Sequence, residues 1–112
     1  MDNQVIKEIL DKVYRLSEKI YGNKLESVIL FGSYACGENT PESDIDVMVR
    51  VDLPETELGS FNDDLCELMS DVVIDYEIVL NIVLQSNQTF EERLPYSKFY
   101  QCVEREGLPY AV

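Results

Sequence analysis

Two aspartates and a glycine–serine pair are the residues whose types and spacing best suit chemistry in this chain. Asp44 and Asp46 lie two residues apart in an apolar stretch, so on a β-strand both carboxylates project from the same face. Adjacent carboxylates repel each other unless a cation lies between them, and Mg²⁺ is commonly held by one or two carboxylates together with substrate phosphates. Upstream, Gly32 permits a sharp turn after an apolar run, and Ser33 would open a helical turn whose free N–H groups favour a phosphate. These residues predict metal-assisted attack on a nucleoside triphosphate.

The residue types that are missing narrow the chemistry further. The sequence contains no histidine, which excludes histidine general bases, Ser-His-Asp triads and histidine-ligated zinc. The three cysteines, Cys36, Cys66 and Cys102, are widely spaced and form no Cys-x-x-Cys pair, as is typical of free thiols in a reducing cytosol. Any catalysis is therefore expected to depend on carboxylates, hydroxyls and a bound metal.

Length and charge limit the organisation and the partners. The 112 residues predict one domain, spanning 1–112, without a separate substrate-binding domain. The net charge is −13, and it is uneven: residues 1–24 carry five basic and four acidic groups, whereas residues 25–112 carry four basic and eighteen acidic groups. Such a field repels nucleic acid and attracts cations and basic proteins. We therefore expect a basic protein partner and no direct contact with nucleic acid.

Neither a membrane span nor a signal peptide is expected. No apolar run approaches the roughly 18 residues that span a bilayer. The first residues also lack the basic segment and following apolar segment of a secretory signal. The sequence therefore predicts a cytoplasmic protein without membrane contact.

The elements that must position these residues follow from hydrophobic periodicity. Apolar residues at three- and four-residue steps between Ile6 and Ile20 predict a first helix, which Gly22 should end. Alternating apolar residues predict strands, with Ile45, Val47 and Val49 facing away from the aspartates. The predicted elements are strands at 27–31, 44–51 and 75–84, loops at 32–43 and 53–59, a second helix at 61–72 capped by Ser60, a short helix from Ser86 or Asn87 to Glu92, and a last helix at 97–106. This indicates an α/β (α+β) fold, a small mixed β-sheet with helices packed on it in the order α-β-β-α-β-α.

The motif as a whole resembles a known family. Gly32-Ser33, ten intervening residues and Asp44-Ile45-Asp46 resemble the signature of the DNA-polymerase-β-like nucleotidyltransferase superfamily. The short length and the stretch 28–49 resemble its minimal branch, MNT, which includes the MntA-type antitoxins of HEPN/MNT toxin–antitoxin pairs. The resemblance implies a nucleotidyltransferase fold, ATP as substrate and Mg²⁺ as cofactor. It also implies Asp44 and Asp46 as catalytic metal ligands and Gly32 and Ser33 as nucleotide-binding residues.

The resemblance also calls for a third carboxylate on the next strand. Asp75 and Glu77 are both candidates, and Glu77 is favoured as catalytic residue and metal ligand because it begins an apolar run where relatives commonly have aspartate. The alternative is that Asp75 is strand-edge polarity and Glu77 faces solvent. Two other positions have open roles: Cys36 stands where many relatives have arginine, and Arg50 either reaches a phosphate or faces solvent.

Three functions are compatible with the sequence. The first, implied by the resemblance, is Mg²⁺-dependent transfer of AMP from ATP to a hydroxyl, most simply a tyrosine of a basic, helical HEPN-type ribonuclease toxin, which would make the protein an antitoxin. The second is a non-catalytic protein that neutralises its toxin by binding and keeps a vestigial nucleotide site, which the substitutions at Glu77 and Cys36 favour. The third is nucleotidyl transfer to a small molecule, against which the lack of a second domain counts.

Overall fold

A four-stranded mixed sheet with helices on both faces organises the computed structural model, which describes residues 3–31, 44–58 and 63–110. The strands lie in the order β3-β2-β1-β4; β2 and β3 are parallel, and β1 is antiparallel to both β2 and β4. This mixed sheet confirms the predicted fold class. The elements are α1 (Asn3–Tyr21), a 3₁₀ turn (Gly22–Lys24), β1 (Leu25–Phe31), β2 (Ile45–Val51), α2 (Glu55–Leu58), α3 (Asp63–Tyr76), β3 (Leu80–Ser86), α4 (Asn87–Arg93), α5 (Lys98–Glu106) and β4 (Leu108–Tyr110).

The alternation of β2 divides the core into two layers. Ile45, Val47 and Val49 are fully buried on the face that α1 and α3 cover. Met48 points to the opposite face, where it packs with Phe90 of α4 and other apolar residues of β1 and α5. Both faces of β2 are thus covered, as expected for a strand with a parallel neighbour. The predicted orientation of the apolar residues of β2 is confirmed.

Local sequence signals set several element ends as predicted. The first helix ends at Tyr21, and Gly22 follows with a φ of 58°, in the left-handed region that glycine adopts readily. The hydroxyl of Ser86 accepts from the backbone N–H of Thr89 and caps α4. Ser97 caps α5 in the same way, although this cap was not predicted. The predicted cap at Ser60 lies outside the described residues.

The predicted strand at 75–84 is wrong in its first half. Helix α3 continues to Tyr76, and β3 begins only at Leu80. The physical reason is a helical stripe that continues past the expected end: Leu65 and Val72 are buried, and Tyr76 packs against the same core at the next four-residue step. The alternation of residues 75–78 therefore lies partly on a helix and partly in a turn.

Two short elements were not predicted. Helix α2 lies inside the segment predicted as a loop, and β4 follows the last helix. The three residues of β4 pair with β1 at the sheet edge, where Pro109 is tolerated because one side of the strand needs no ladder donor. The hydroxyl of Tyr110 donates to Asp11 at 3.1 Å, which links β4 to α1. Within the described segments, no helix is both long and apolar enough to cross a bilayer.

Glu77 has the only non-glycine positive φ in the described part of the chain, at 58°. Its backbone N–H donates to the carbonyl of Val73 at 3.0 Å, which is the left-handed closure of a helix C-terminus where glycine is preferred. Because a side chain in this conformation costs roughly 1–2 kcal/mol, we expect Glu77→Gly to raise the free energy of unfolding by about 1 kcal/mol. Urea denaturation measures this gain, and Glu77→Ala, which keeps a Cβ, should not show it. A loss of stability in Glu77→Gly would contradict this account of the turn.

Candidate active site

The two aspartates lie at one end of the sheet, where three strands meet. Asp46 is the second residue of β2, and Asp44 immediately precedes the strand. The parallel pairing places Asn81 of β3 beside Asp46, and the antiparallel pairing places Phe31, the last residue of β1, on its other side. The carboxyl end of β1 and the amino ends of β2 and β3 therefore lie together at one end of the sheet.

The side chains of Asp44 and Asp46 converge on one hydrogen-bond donor. The amide nitrogen of Asn81 lies 3.3 Å from Oδ2 of Asp44 and 3.1 Å from Oδ1 of Asp46, and it donates to both. The two carboxylates therefore face the same point, as their spacing predicted. Asp44 and Asn81 are exposed and Asp46 is half-buried, so a ligand can reach the group from solvent.

The predicted third carboxylates do not join this group. Asp75 lies on the exposed side of α3, and Glu77 is exposed in the turn that follows the helix. In the part of the chain that the structure describes, no three histidine, cysteine or acidic side chains are placed to hold a metal ion together. The predicted grouping of Glu77 with Asp44 and Asp46 is therefore not formed, because the residues before Leu80 do not lie on the sheet.

Asn81 is the site residue that the sequence interpretation missed. It is the second residue of β3, and it faces Asp46 where a strand-borne carboxylate was expected. A signal was present: Leu80-Asn81-Ile82 repeats the pattern of one polar residue between two buried apolar residues that Ile45-Asp46-Val47 shows. An amide therefore occupies the position beside Asp46 where an acidic residue was expected.

The donor set fits a hard divalent cation. Carboxylate and amide oxygens are ligands that Mg²⁺ accepts in proteins. Asp44 and Asp46 already converge, and rotation of the Asn81 amide would present its oxygen instead of its nitrogen. The formal charge of the three side chains is that of two carboxylates, which one Mg²⁺ would balance.

The remaining site predictions concern the loop that follows β1 and the side chain of Arg50. Gly32, Ser33 and Cys36 lie outside the described residues; β1, which precedes them, ends at Phe31 opposite Asp46. Arg50 is at the far end of β2, roughly 13 Å from Asp46 at the usual rise of a strand.

Arg50 joins β2 to the two helices on its face of the sheet. Its guanidinium donates to the side-chain oxygen of Asn87, lies 4.1 Å from the ring centre of Phe90 and approaches Glu104 at 3.9 Å. A cation stacked on an aromatic ring and bonded to both α4 and α5 contributes to packing. The structure therefore supports neither of the two predicted alternatives for Arg50, a phosphate contact or a solvent-facing side chain.

Comparison with known proteins identifies the family. The family model described as "Nucleotidyltransferase domain" matches residues 6–110. The chain belongs to this family. This nucleotidyltransferase is 33% identical over 101 residues to a Methanocaldococcus jannaschii protein named "Putative protein adenylyltransferase MJ0604", and the match covers 90% of this chain and 92% of that protein.

Solved structures share the fold of this nucleotidyltransferase. A crystal structure of "the toxin-antitoxin with AMP-PNP" superposes with a TM-score of 0.53 at 21% identity, and it covers 91% of this chain and 73% of the other. A mutant of "the toxin-antitoxin MntA-HpeT" superposes with a TM-score of 0.52 at 19% identity, with the same two coverages of 91% and 73%. These matches show that the fold of this chain, a mixed sheet with helices packed on it, is shared by both solved structures.

Proposed function

We propose that this nucleotidyltransferase transfers AMP from ATP to a hydroxyl group of a partner protein. The observation that supports it most is the convergence of Asp44 and Asp46 on one point beside the end of β1, in a chain whose family carries out this class of reaction. The relative named as a protein adenylyltransferase supports AMP as the group transferred and a protein as the acceptor. The cytoplasm is the proposed location because it supplies both ATP and Mg²⁺.

The proposed reaction is a displacement at the α-phosphorus of ATP. The acceptor oxygen forms a bond to this phosphorus, the bond to the bridging oxygen of the β-phosphate breaks, and pyrophosphate leaves with that electron pair while the acceptor proton passes to solvent. Asp44 and Asp46 would hold Mg²⁺, and Gly32 and Ser33 would bind the triphosphate. When bound, Mg²⁺ would neutralise the negative charge that develops on the phosphate oxygens. Positioning and electrostatic stabilisation are the main terms in such transfers.

The amide of Asn81, in the place of a third carboxylate on β3, favours an acceptor that loses its proton easily. An amide such as that of Asn81 does not act as a general base, and the described residues place no third carboxylate beside the pair. A phenol, with a pKa near 10, ionises far more readily than water, whose pKa is 15.7. We therefore propose a tyrosine hydroxyl as the acceptor, rather than a serine, threonine or sugar hydroxyl.

The charge of the chain favours a basic partner. With a net charge of −13, the protein attracts basic surfaces, such as those of proteins that bind RNA. Two structural neighbours are toxin–antitoxin structures. We therefore propose a HEPN-type ribonuclease toxin as the partner, which places this protein in the antitoxin role.

Asn81 also favours a second candidate function. A site with two carboxylates and an amide suits binding of a nucleotide with its metal, but it lacks a group on β3 that could take a proton. The protein would then neutralise its partner by binding alone, with the nucleotide site as a vestige. The two functions differ in whether ATP is consumed.

Release of pyrophosphate distinguishes these functions. We expect pyrophosphate to appear only when the protein, Mg²⁺, ATP and the protein encoded beside it are all present. Omission of the partner is the control for hydrolysis by water. If the partner is inhibited and no pyrophosphate is released, AMP transfer is excluded and the second function, neutralisation by binding, takes its place.

Asn81→Asp should strengthen binding of divalent cations and weaken the fold in their absence. The change removes an amide that donates to two carboxylates and adds a third like charge, so we expect a loss of about 1–2 kcal/mol in the free energy of unfolding without metal. The affinity for Mn²⁺ should rise about tenfold, because a charged ligand replaces a neutral one. Titration followed by the electron paramagnetic resonance of free Mn²⁺ measures this. Gln88→Glu adds the same charge on the exposed side of α4 and should leave Mn²⁺ affinity unchanged; equal gains in both variants would contradict the assignment.

A further inference from the structure

Phe99 is an aromatic side chain at the start of α5 that is only half covered. Its side chain is 47% exposed. Its ring packs edge-on against Phe31, with centroids 5.5 Å apart and planes at 77°, and is tilted against Tyr100 at 5.4 Å. One part of the ring is thus fixed by two aromatic neighbours while the rest faces solvent.

The position of Phe99 relates it to the candidate active site. Phe31 pairs with Asp46 across β1 and β2, and its side chain belongs to the core cluster on the α4 and α5 side of the sheet. Asp46 and Asn81 lie on the same side, because they alternate with residues buried against α1 and α3. Paired strand residues are about 5 Å apart, so the Phe99 ring lies on the order of 10 Å from Asp46.

The geometry points to Phe99 as the surface on which the purine base of the bound nucleotide stacks, an inference that rests on the proposed function. A nucleotide whose phosphates lie at the carboxylates extends its base away from them by the length of the ribose, which matches the scale of this separation. An exposed aromatic face is the usual platform for a base, and such stacking is worth about 1–3 kcal/mol by alanine substitution. The ring loses little freedom on binding because Phe31 and Tyr100 already hold it.

Comparison of ATP with a ligand that has no base tests this inference. Calorimetry would give the Kd of ATP and of inorganic tripolyphosphate, each with Mg²⁺, for the wild type, Phe99→Leu and Phe99→Tyr. Leucine keeps an apolar side chain without a π-face, whereas tyrosine keeps the π-face. We expect Phe99→Leu to weaken ATP binding roughly tenfold, Phe99→Tyr to retain it, and the Kd of tripolyphosphate to be the same in all three.

Tyr96→Ala provides the matched control. Tyr96 is 87% exposed in the turn before α5, so its loss removes a surface aromatic from the same region. It should leave both Kd values unchanged.

The remaining outcomes separate the inference from the function on which it rests. If Phe99→Leu binds ATP as the wild type does, or weakens tripolyphosphate equally, Phe99 does not hold the base. If Phe99→Leu instead weakens only the association with the partner protein, the ring is a docking contact and the inference is overturned. If the wild type binds neither ATP nor tripolyphosphate, the proposed function fails together with the inference.

Discussion

Asp46→Asn is expected to stop AMP transfer while the protein stays folded. The substituted amide has the same shape as the carboxylate but lacks the negative charge that would hold Mg²⁺ in the proposed reaction. Loss of one such electrostatic interaction in a transition state typically costs 10²-fold or more in rate. Asp44→Ala should have the same effect, because both carboxylates converge on the same point.

Stability should change little in these variants. Asp44 is exposed and Asp46 is only half-buried, and removal of one of two adjacent like charges relieves their repulsion. Urea denaturation would verify the fold, and the initial rate of label transfer from ATP would measure activity. Asp52→Asn is the matched control: it removes an exposed carboxylate just beyond the other end of β2 and should label the partner at the wild-type rate. Wild-type labelling by Asp46→Asn would exclude this pair as the catalytic site.

ATP with Mg²⁺ is expected to raise the melting temperature substantially. A ligand at 100 times its Kd stabilises the folded state by roughly 2.7 kcal/mol. For a domain of this size, that corresponds to a rise on the order of 10 °C. The effect requires no partner protein, so it tests nucleotide binding separately from transfer.

The double variant Asp44→Asn with Asp46→Asn should lose the Mg²⁺-dependent part of this rise. Without the two charges, Mg²⁺ would have only neutral ligands at this end of the sheet, and its contribution to ATP binding should disappear. Differential scanning fluorimetry with ATP and Mg²⁺, and with ATP and a chelator, measures the two parts. An unchanged Mg²⁺-dependent shift in the double variant would place the metal elsewhere on the protein.

The parts of the fold that the sequence predicted are those with local signals. Helix α1 has a clear apolar stripe and a glycine at its end, and the serine cap of α4 is read directly from residue type. By contrast, β4 has only three residues, and its strand conformation depends on pairing with β1. Its own residues therefore carry no local signal that predicts a strand. The end of α3 was misplaced because Val72 and Tyr76 pack in the core at helical spacing, which outweighs the apparent alternation that follows.

The same distinction explains which site residues were predicted. Asp44 and Asp46 are close in sequence, so strand geometry alone places both carboxylates on one face. Their contact with Asn81 depends on the parallel register between β2 and β3, which is a long-range property of the sheet. Once α3 is known to end at Tyr76, Glu77 falls in the turn, and the polar position on β3 becomes that of Asn81.

The position of the label that ATP transfers tests the central claim most directly. The protein, Mg²⁺ and the protein encoded beside it would be incubated with ATP labelled at the α-phosphate and, in parallel, at the γ-phosphate. Nucleotidyl transfer predicts that the partner acquires the α-label and not the γ-label. With the Asp46→Asn variant in place of the wild type, the partner should acquire neither label. Transfer of the γ-label, or inhibition of the partner with no label at all, would contradict the account.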